Sequence, residues 1–421
     1  MLGNINTDCE CLPLARSEIN RKLETGTLPA QAEELLRSRE TIFARTSVFV
    51  SADEHKAMLG TIAAIEDLTK LEDYRAAIAA RTPFTEDETH GLIMGYDFHL
   101  TDDGPKLIEV NTNAGGAFIV SHLLRALEPN ISCCYNSKIY GADTQPDNID
   151  DFIVEMFRRE YILGGGAGAL TSLVIIDESP AEQYLYPDML IAKDLLGASG
   201  VQTVIVDPAD LDYRDGRLHA GALPIDMVYN RLTDFDLSNP RHKALRRAYE
   251  NQDVVLSPAP SHHALFADKR NLILFGREER LKTWGLPDEH LSALKAVPKT
   301  LELTPENADE MWAVRKQYFF KPRDGFGSKA AYRGKKITRK VWEQISGGSH
   351  VAQEFVPPSL RLVRLEGEPE SEPIKLKFDL RVYTYGGQAF SMVARVYQGQ
   401  TTNFRTRGGG FAPVIVMADN K

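Results

Sequence analysis

Asp97, Glu109 and Asn111 stand in GLIMGYDFHLTDDGPKLIEVNTNAGG, a stretch built around one turn. Two strand-like runs, Leu92 to Leu100 and Lys106 to Val110, flank Thr101-Asp102-Asp103-Gly104, which supplies hairpin turn chemistry. Alternate side chains of a strand share a face, so Glu109 and Asn111 point the same way and Asp97 can lie across from them. Two carboxylates and an amide oxygen on one surface suit Mg²⁺, a hard cation that takes oxygen ligands and leaves room for phosphates. A solvated acidic hairpin is the plain alternative.

A second group of residues is suited to phosphate. In YFFKPRDGFGSKAAYRGKK, an aromatic strand ends in Lys321 and passes a loop with Gly325, Gly327 and Ser328 before a new strand starts. A loop with so little side-chain bulk can lay N–H groups over phosphates, and Lys321 adds a point charge. In HVAQEFVPP, the run Gln353, Glu354, Phe355 and Val356 can offer backbone groups to an adenine edge, although an ordinary core strand reads the same way. From Lys377 to Pro413, Asp379, Arg381, Arg395, Arg405 and Arg407 alternate with apolar residues, and Gly408, Gly409 and Gly410 close the run. Arginines projecting from paired strands onto a common face can hold phosphates or carboxylates bidentately.

The intervening sequence must supply elements that bring these fragments together. From Ala30 to Arg81, apolar residues recur at three- and four-residue steps, which predicts helix. Asp147 to Glu160 also reads as a helix. The glycine run Gly164 to Ala169 follows that helix, precedes a strand and has no lysine after it, so a linker is predicted in place of a phosphate loop. Strand Ser172 to Ile176, helix Ala181 to Leu196, strand Thr203 to Val206, strand Met227 to Tyr229, helix Pro240 to Asn251 and a strand around Val254 and Leu256 then alternate. Such alternation predicts an open, largely parallel α/β unit, with LDYRDGRLHAG as an excursion from it.

The totals narrow the class. A chain of 421 residues has room for two or three packed units, and 43% hydrophobic with 26% charged residues is a globular profile. A net charge of −10 argues against nucleic acid or an anionic membrane as partner. The N-terminal MLGNINTDCECLPLARS lacks the basic and apolar segments of a signal peptide, and no run approaches a membrane span, so a cytoplasmic location is expected. Cys9, Cys11, Cys133 and Cys134 do not form a zinc framework and read as reduced thiols.

Together these fragments resemble the ATP-grasp superfamily. Lys321 with the Gly325 to Ser328 loop, the Gln353–Val356 hinge, DLRVY with NFRTRGGG, and Asp97…Glu109-x-Asn111 match its phosphate, adenine and magnesium elements. The acidic hairpin comes first here, as in the circular permutation of the eukaryotic-type glutathione synthetases. SVFVSADEHKAMLGTIAAIEDL resembles the helical entry of those enzymes. IDMVYNRLTDF resembles their substrate-arginine strand, which points to Arg231, and LSPAPSHHALFADKRN leads to their first nucleotide lysine, here Lys269. The resemblance spans about residues 46 to 416. It departs at KPRDGFGSK, where Asp324 becomes an extra metal-ligand candidate, and at GGGFAP, a shortened substrate loop. DLRVY is also similar to the tubulin tyrosine ligases.

The resemblance implies an α/β (α+β) ATP-grasp fold, circularly permuted, with N-terminal helices and an inserted parallel α/β substrate domain. Its units would be residues 1–165, carrying the magnesium part, 170–258, the insert, and 259–421, the ATP-binding part. It implies an ATP-dependent ligase that joins a small-molecule carboxylate to an amine through an acyl phosphate, with ATP and Mg²⁺. Asp97, Glu109 and Asn111 would hold the metal, and Lys269 and Lys321 the phosphates. Arg405, with Arg381 or Arg395, would steady the transferred group, and Arg231, Arg407, Gly409 and Gly410 would face substrate. A homodimer would fit the family. An ATP-grasp phosphotransferase and a non-catalytic nucleotide-binding protein are the alternatives.

Overall fold

The computed structural model describes residues 5–8, 21, 28–84, 88–127, 137–139, 148–323, 325, 330–363, 372–403 and 405–417. Its largest sheet joins the two ends of the chain. In spatial order it runs β1 (Val48–Ser51), β19 (Gly410–Met417), β18 (Gln388–Tyr397), β17 (Ile374–Tyr385), β2 (Met94–Thr101) and β3 (Gly104–Asn111). Strand β16 (Ser359–Val363) pairs with β17, and β4 (Ser137–Ile139) with β19. The acidic hairpin β2–β3 therefore lies directly beside the arginine-bearing β17, with Arg381 in register with Asp97.

Alternation along these strands separates core from chemistry. Leu380, Val382, Met392, Ala394, Tyr96 and Phe98 pack on one face with helix Ala52–Leu68. Asp97, Asp379, Arg381 and Arg395 occupy the alternate positions and so lie on the opposite face. On that face the apolar packing is supplied by Tyr383, Phe390 and Phe411, against helices Ala117–Leu127 and Ile149–Leu163.

A second sheet is wholly parallel, in the order β11 (Val255–Ser257), β10 (Met227–Asn230), β5 (Ser172–Ile176) and β6 (Gln202–Val206). Strand β5 is buried along its whole length, as a continuous apolar run in a covered parallel sheet must be. The excursion LDYRDGRLHAG forms the hairpin of β7 (Leu211–Arg214) and β8 (Arg217–Ala220), which β9 (Leu223–Pro224) just beyond it extends to a three-stranded meander. A third sheet orders β12 (Thr300–Glu302), β15 (His350–Glu354), β13 (Tyr318–Pro322) and β14 (Tyr332–Arg333).

The continuous helical pattern expected from Ala30 to Arg81 is interrupted. Helices Ala30–Ser38 and Ala52–Leu68 are separated by β1, which pairs in parallel with Val414 to Met417, and a short turn divides the second from helix Glu72–Ala79. Val48, Phe49 and Val50 favour a strand once a partner edge exists, and that edge comes from the far end of the chain. The Ser51–Glu54 capping box then starts the next helix. The helix expected from Ala181 begins at Tyr186 after a short 3₁₀ turn at Pro180–Glu182.

Candidate active site

The large sheet and the third sheet face each other across a cleft of about 850 Å³, counting space open to solvent. Its walls bring together Asp97, Glu109, Lys269, Lys321, Gly325, Arg395 and the hinge residues Gln353, Glu354, Phe355 and Val356. Lys321 spans the two sheets. Its Nζ donates to the Ile108 carbonyl at 2.7 Å, on β3, and to Gln353 Oε1 at 2.8 Å, on β15. Lys269 Nζ donates to the Gly325 carbonyl at 3.0 Å and lies 3.9 Å from Glu109 Oε2.

The hinge is committed to one orientation. The Glu354 N–H donates to Lys299 O and the Phe355 N–H to Gln317 O, both at 2.8 Å, while the Val356 carbonyl faces His99 Nδ1 at 3.2 Å. Gln353 Nε2 is buried with no hydrogen-bond partner among the described residues.

Charges alternate across the sheet face. Arg381 clasps Asp97 through Nε and Nη2, each at 2.7 Å. Arg395 reaches Asp97 Oδ2 at 2.7 Å and Asp379 Oδ1 at 2.6 Å, and Thr402 donates to Asp379. Burial would lower the Arg395 guanidinium, but Asp379 and Asp97 outweigh it and hold it above its usual range. Burial likewise pushes Glu109 up, yet Lys269, Lys321 and the two arginines draw its carboxyl down to about 2. Burial also lowers the Lys321 ammonium to about 8.

Asn111 donates its amide nitrogen to Asp97 at 3.0 Å and to Glu109 at 3.4 Å, which leaves its amide oxygen for another partner. Among the described residues, no cluster of three His, Cys, Asp or Glu side chains is placed to hold a metal ion.

Other predicted site residues stand apart from this cleft. Arg405 is exposed on the loop before β19, with its guanidinium 4.9 Å from the Tyr184 ring centroid. Arg407 is exposed on the same loop, whose strand-like alternation in sequence does not become a strand. Gly409 donates to Thr406 O at 2.8 Å within the turn. Gly410 packs on backbone, since a Cβ there would meet Ala44 N and Phe43 C at 2.6 Å. Arg231 is buried at the C-terminal end of β10, donating to Tyr229 Oη at 3.1 Å and lying 3.9 Å from Asp188. Nearby, burial pushes Asp177 up to about 6 against the pull of Arg231. Gly327, Ser328, Asp324 and all four cysteines lie outside the described residues.

Sequence reasoning missed His99 and Thr402 in the cleft. His99 follows Asp97 by two positions on the same strand, a spacing that marked it as a neighbour of the acid. Burial lowers His99 to about 4, so it is neutral near pH 7. Thr402 carried no signal, because a loop brings it to Asp379.

No family model matches the sequence, and no curated protein matches it in sequence. The three-dimensional comparison is informative: the chain has an ATP-grasp-like fold. In particular, it is similar to a glutathione synthetase-like effector from Globodera pallida. The TM-score is 0.55 at 13% identity, over 96% of this chain and 99% of the effector. At that identity the likeness is one of fold. A putative γ-glutamylcysteine synthetase from Methylobacillus flagellatus KT matches with a TM-score of 0.42 at 11% identity, over 85% of this chain and 86% of its own. The ATP-grasp ligase PsnB, complexed with a variant of its minimal precursor, Mg and ADP, matches with a TM-score of 0.30 at 16% identity. That match covers 60% of this chain and 87% of PsnB.

Proposed function

We propose that the chain is an ATP-dependent ligase that joins a small carboxylate to an amine through an acyl phosphate. The observation that carries this reading is the convergence of Lys269, Lys321, Glu109, Arg395 and the Gln353–Val356 hinge on one cleft, from segments far apart in the chain. A nucleotide fits this donor set. Gln353 has a buried amide nitrogen in need of an acceptor, and two ammoniums suit phosphate oxygens. Mg²⁺ fits Glu109 and the free amide oxygen of Asn111, oxygen ligands held beside the phosphate-binding lysines. When bound, the metal would neutralise phosphate charge.

Phosphoryl transfer needs positioning and charge neutralisation more than covalent chemistry from the protein. Lys269 and Lys321 would hold the nonbridging oxygens, and the Gly325 loop would shield the acyl phosphate from water. Arg395 and Arg381 would steady the transferred group. Arg231, near Asp177 and Asp188 at the C-terminal edge of the parallel sheet, would face the substrate, as ligands of such sheets commonly lie there. Arg405 and Arg407, on the exposed loop, would join it only on closure. In this reading, residues 170–258 are the substrate insert, and the early position of the acidic hairpin is a circular permutation.

The test is ADP release with Mg²⁺ across a panel of carboxylates and amines, with product mass. Coupled ADP and amide formation supports a ligase. ADP release that needs no amine would indicate a phosphotransferase, and tight ATP binding without turnover a non-catalytic nucleotide-binding protein.

A further inference from the structure

We infer that Asp97 is a positioning residue for Arg381 and Arg395 and not a metal ligand, so that Glu109 and Asn111 are the cation-facing pair. This inference rests on the ATP-ligase reading above and reassigns one residue within it.

Asp97 has few lone pairs to give a metal. An ionised carboxylate offers about four acceptor sites. Asp97 Oδ1 takes Arg381 Nε at 2.7 Å, while Oδ2 takes Arg381 Nη2 and Arg395 Nη2 at 2.7 Å and Asn111 Nδ2 at 3.0 Å. Four N–H groups occupy it, and it is only 1% exposed. A divalent cation would have to displace guanidiniums that are themselves cationic.

The surrounding backbone is shaped for this clamp. Asp97 pairs in register with Arg381 on one side and Glu109 on the other. Position 95 carries no side chain, and a Cβ there would lie 3.1 Å from Arg381 Nε and 2.7 Å from Ala114 Cβ. The glycine thus leaves room for the arginine stem. Arg395 is fixed from its other side by Asp379 at 2.6 Å. Glu109 differs: its side chain is 30% exposed, its Lys269 contact is long at 3.9 Å, and it lines the cleft. The open carboxylate faces the ligand space, and the buried one, with a guanidinium on each oxygen, holds the arginines.

The test compares Asp97→Asn with Glu109→Gln, using Mn²⁺ and a non-hydrolysable ATP analogue, with free Mn²⁺ read by electron paramagnetic resonance. Asp97→Asn is expected to lose less than about tenfold in Mn²⁺ affinity, and Glu109→Gln more than about a hundredfold. Turnover by Asp97→Asn should fall about a hundredfold with little change in the Mg²⁺ concentration for half-activity. Equal loss of Mn²⁺ binding in the two variants would overturn the inference. Should Asp97→Asn fail to fold, a crystal structure of the wild-type protein with ADP and Mg²⁺ decides the matter. Asp97 is expected to stay on both guanidiniums, and an Asp97 oxygen at about 2.1 Å from the metal would overturn the inference. Failure of the wild-type protein to bind Mn²⁺ with nucleotide would overturn the ATP reading itself, and this inference with it.

Discussion

Lys321 holds its place by donating to a carbonyl of one sheet and an amide of another, and its burial lowers the ammonium to about 8. Nucleotide binding should therefore weaken as pH rises through about 8, where this charge is lost. A calorimetric titration of ATP across pH 7 to 9 checks this, and in Lys321→Arg the drop should disappear, because a guanidinium keeps its proton. Glu109 behaves oppositely. Its folded carboxyl lies near 2, below its ordinary 4.5, so the native state favours its ionised form. The resulting stability is present above about 4.5 and is lost as pH falls toward 2. Denaturant midpoints of Glu109→Gln should fall less steeply between pH 5 and pH 2 than those of the wild type. A parallel decline would show that Glu109 gains nothing from its cationic neighbours.

At the scale of elements, the start of β19 depends on a residue without a side chain. Gly410 has φ +133° and lies against the backbone of Phe43 and Ala44, beside the bridge from Phe43 to Phe411. Gly410→Ala should cost about 2–4 kcal/mol, through both backbone strain and overpacking. Chemical denaturation measures it, and a cost below about 1 kcal/mol would show that the contact relaxes freely. The same segment marks how far the sequence could be read. The resemblance set Gly410 in a substrate loop, yet this glycine lies at the start of a strand packed on the chain 366 residues earlier, a contact with no local signal. The hairpin β2–β3, by contrast, was legible in its turn and alternation. Its register shift between Asp97 and Phe98, which sets Asp97 opposite Glu109, was not.

Across the whole molecule, two buried carboxylates tie the parallel sheet to the large one. Asp188, on helix Tyr186–Ala198, accepts the N–H groups of Gly116, Phe118 and Ile119 at 2.9–3.0 Å and so caps helix Ala117–Leu127. Glu160 accepts from the backbone of His90, Gly91 and Leu92 before β2, from Tyr385 on β17 and from Ser257 on β11. Asp188→Ala strands three donors and removes one of the two acids beside Arg231, so it should cost about 2–4 kcal/mol. Thermal and urea unfolding check this, and an unchanged midpoint would remove Asp188 from the junction. No helix among the described residues is long and apolar enough to cross a membrane.

Most of the elements, β1 and the loop before β19 apart, and most of the residue types in the cleft were legible in the sequence, because strand alternation, turn chemistry and glycine-rich breaks are local properties. Its residues made Lys321, Glu109 and the hinge candidates for a nucleotide site, and the resemblance added Lys269 there and Arg395 for the transferred group. Which of those charges are spent on one another was set by the packed fold. Asp97 and Arg381 sit 284 residues apart in the chain and meet in adjacent strands, where Arg381 gives its Nε and Nη2 to the carboxylate. Whether a charged side chain faces a ligand or a neighbour depends on strand pairing, and that is a long-range choice made by the whole fold.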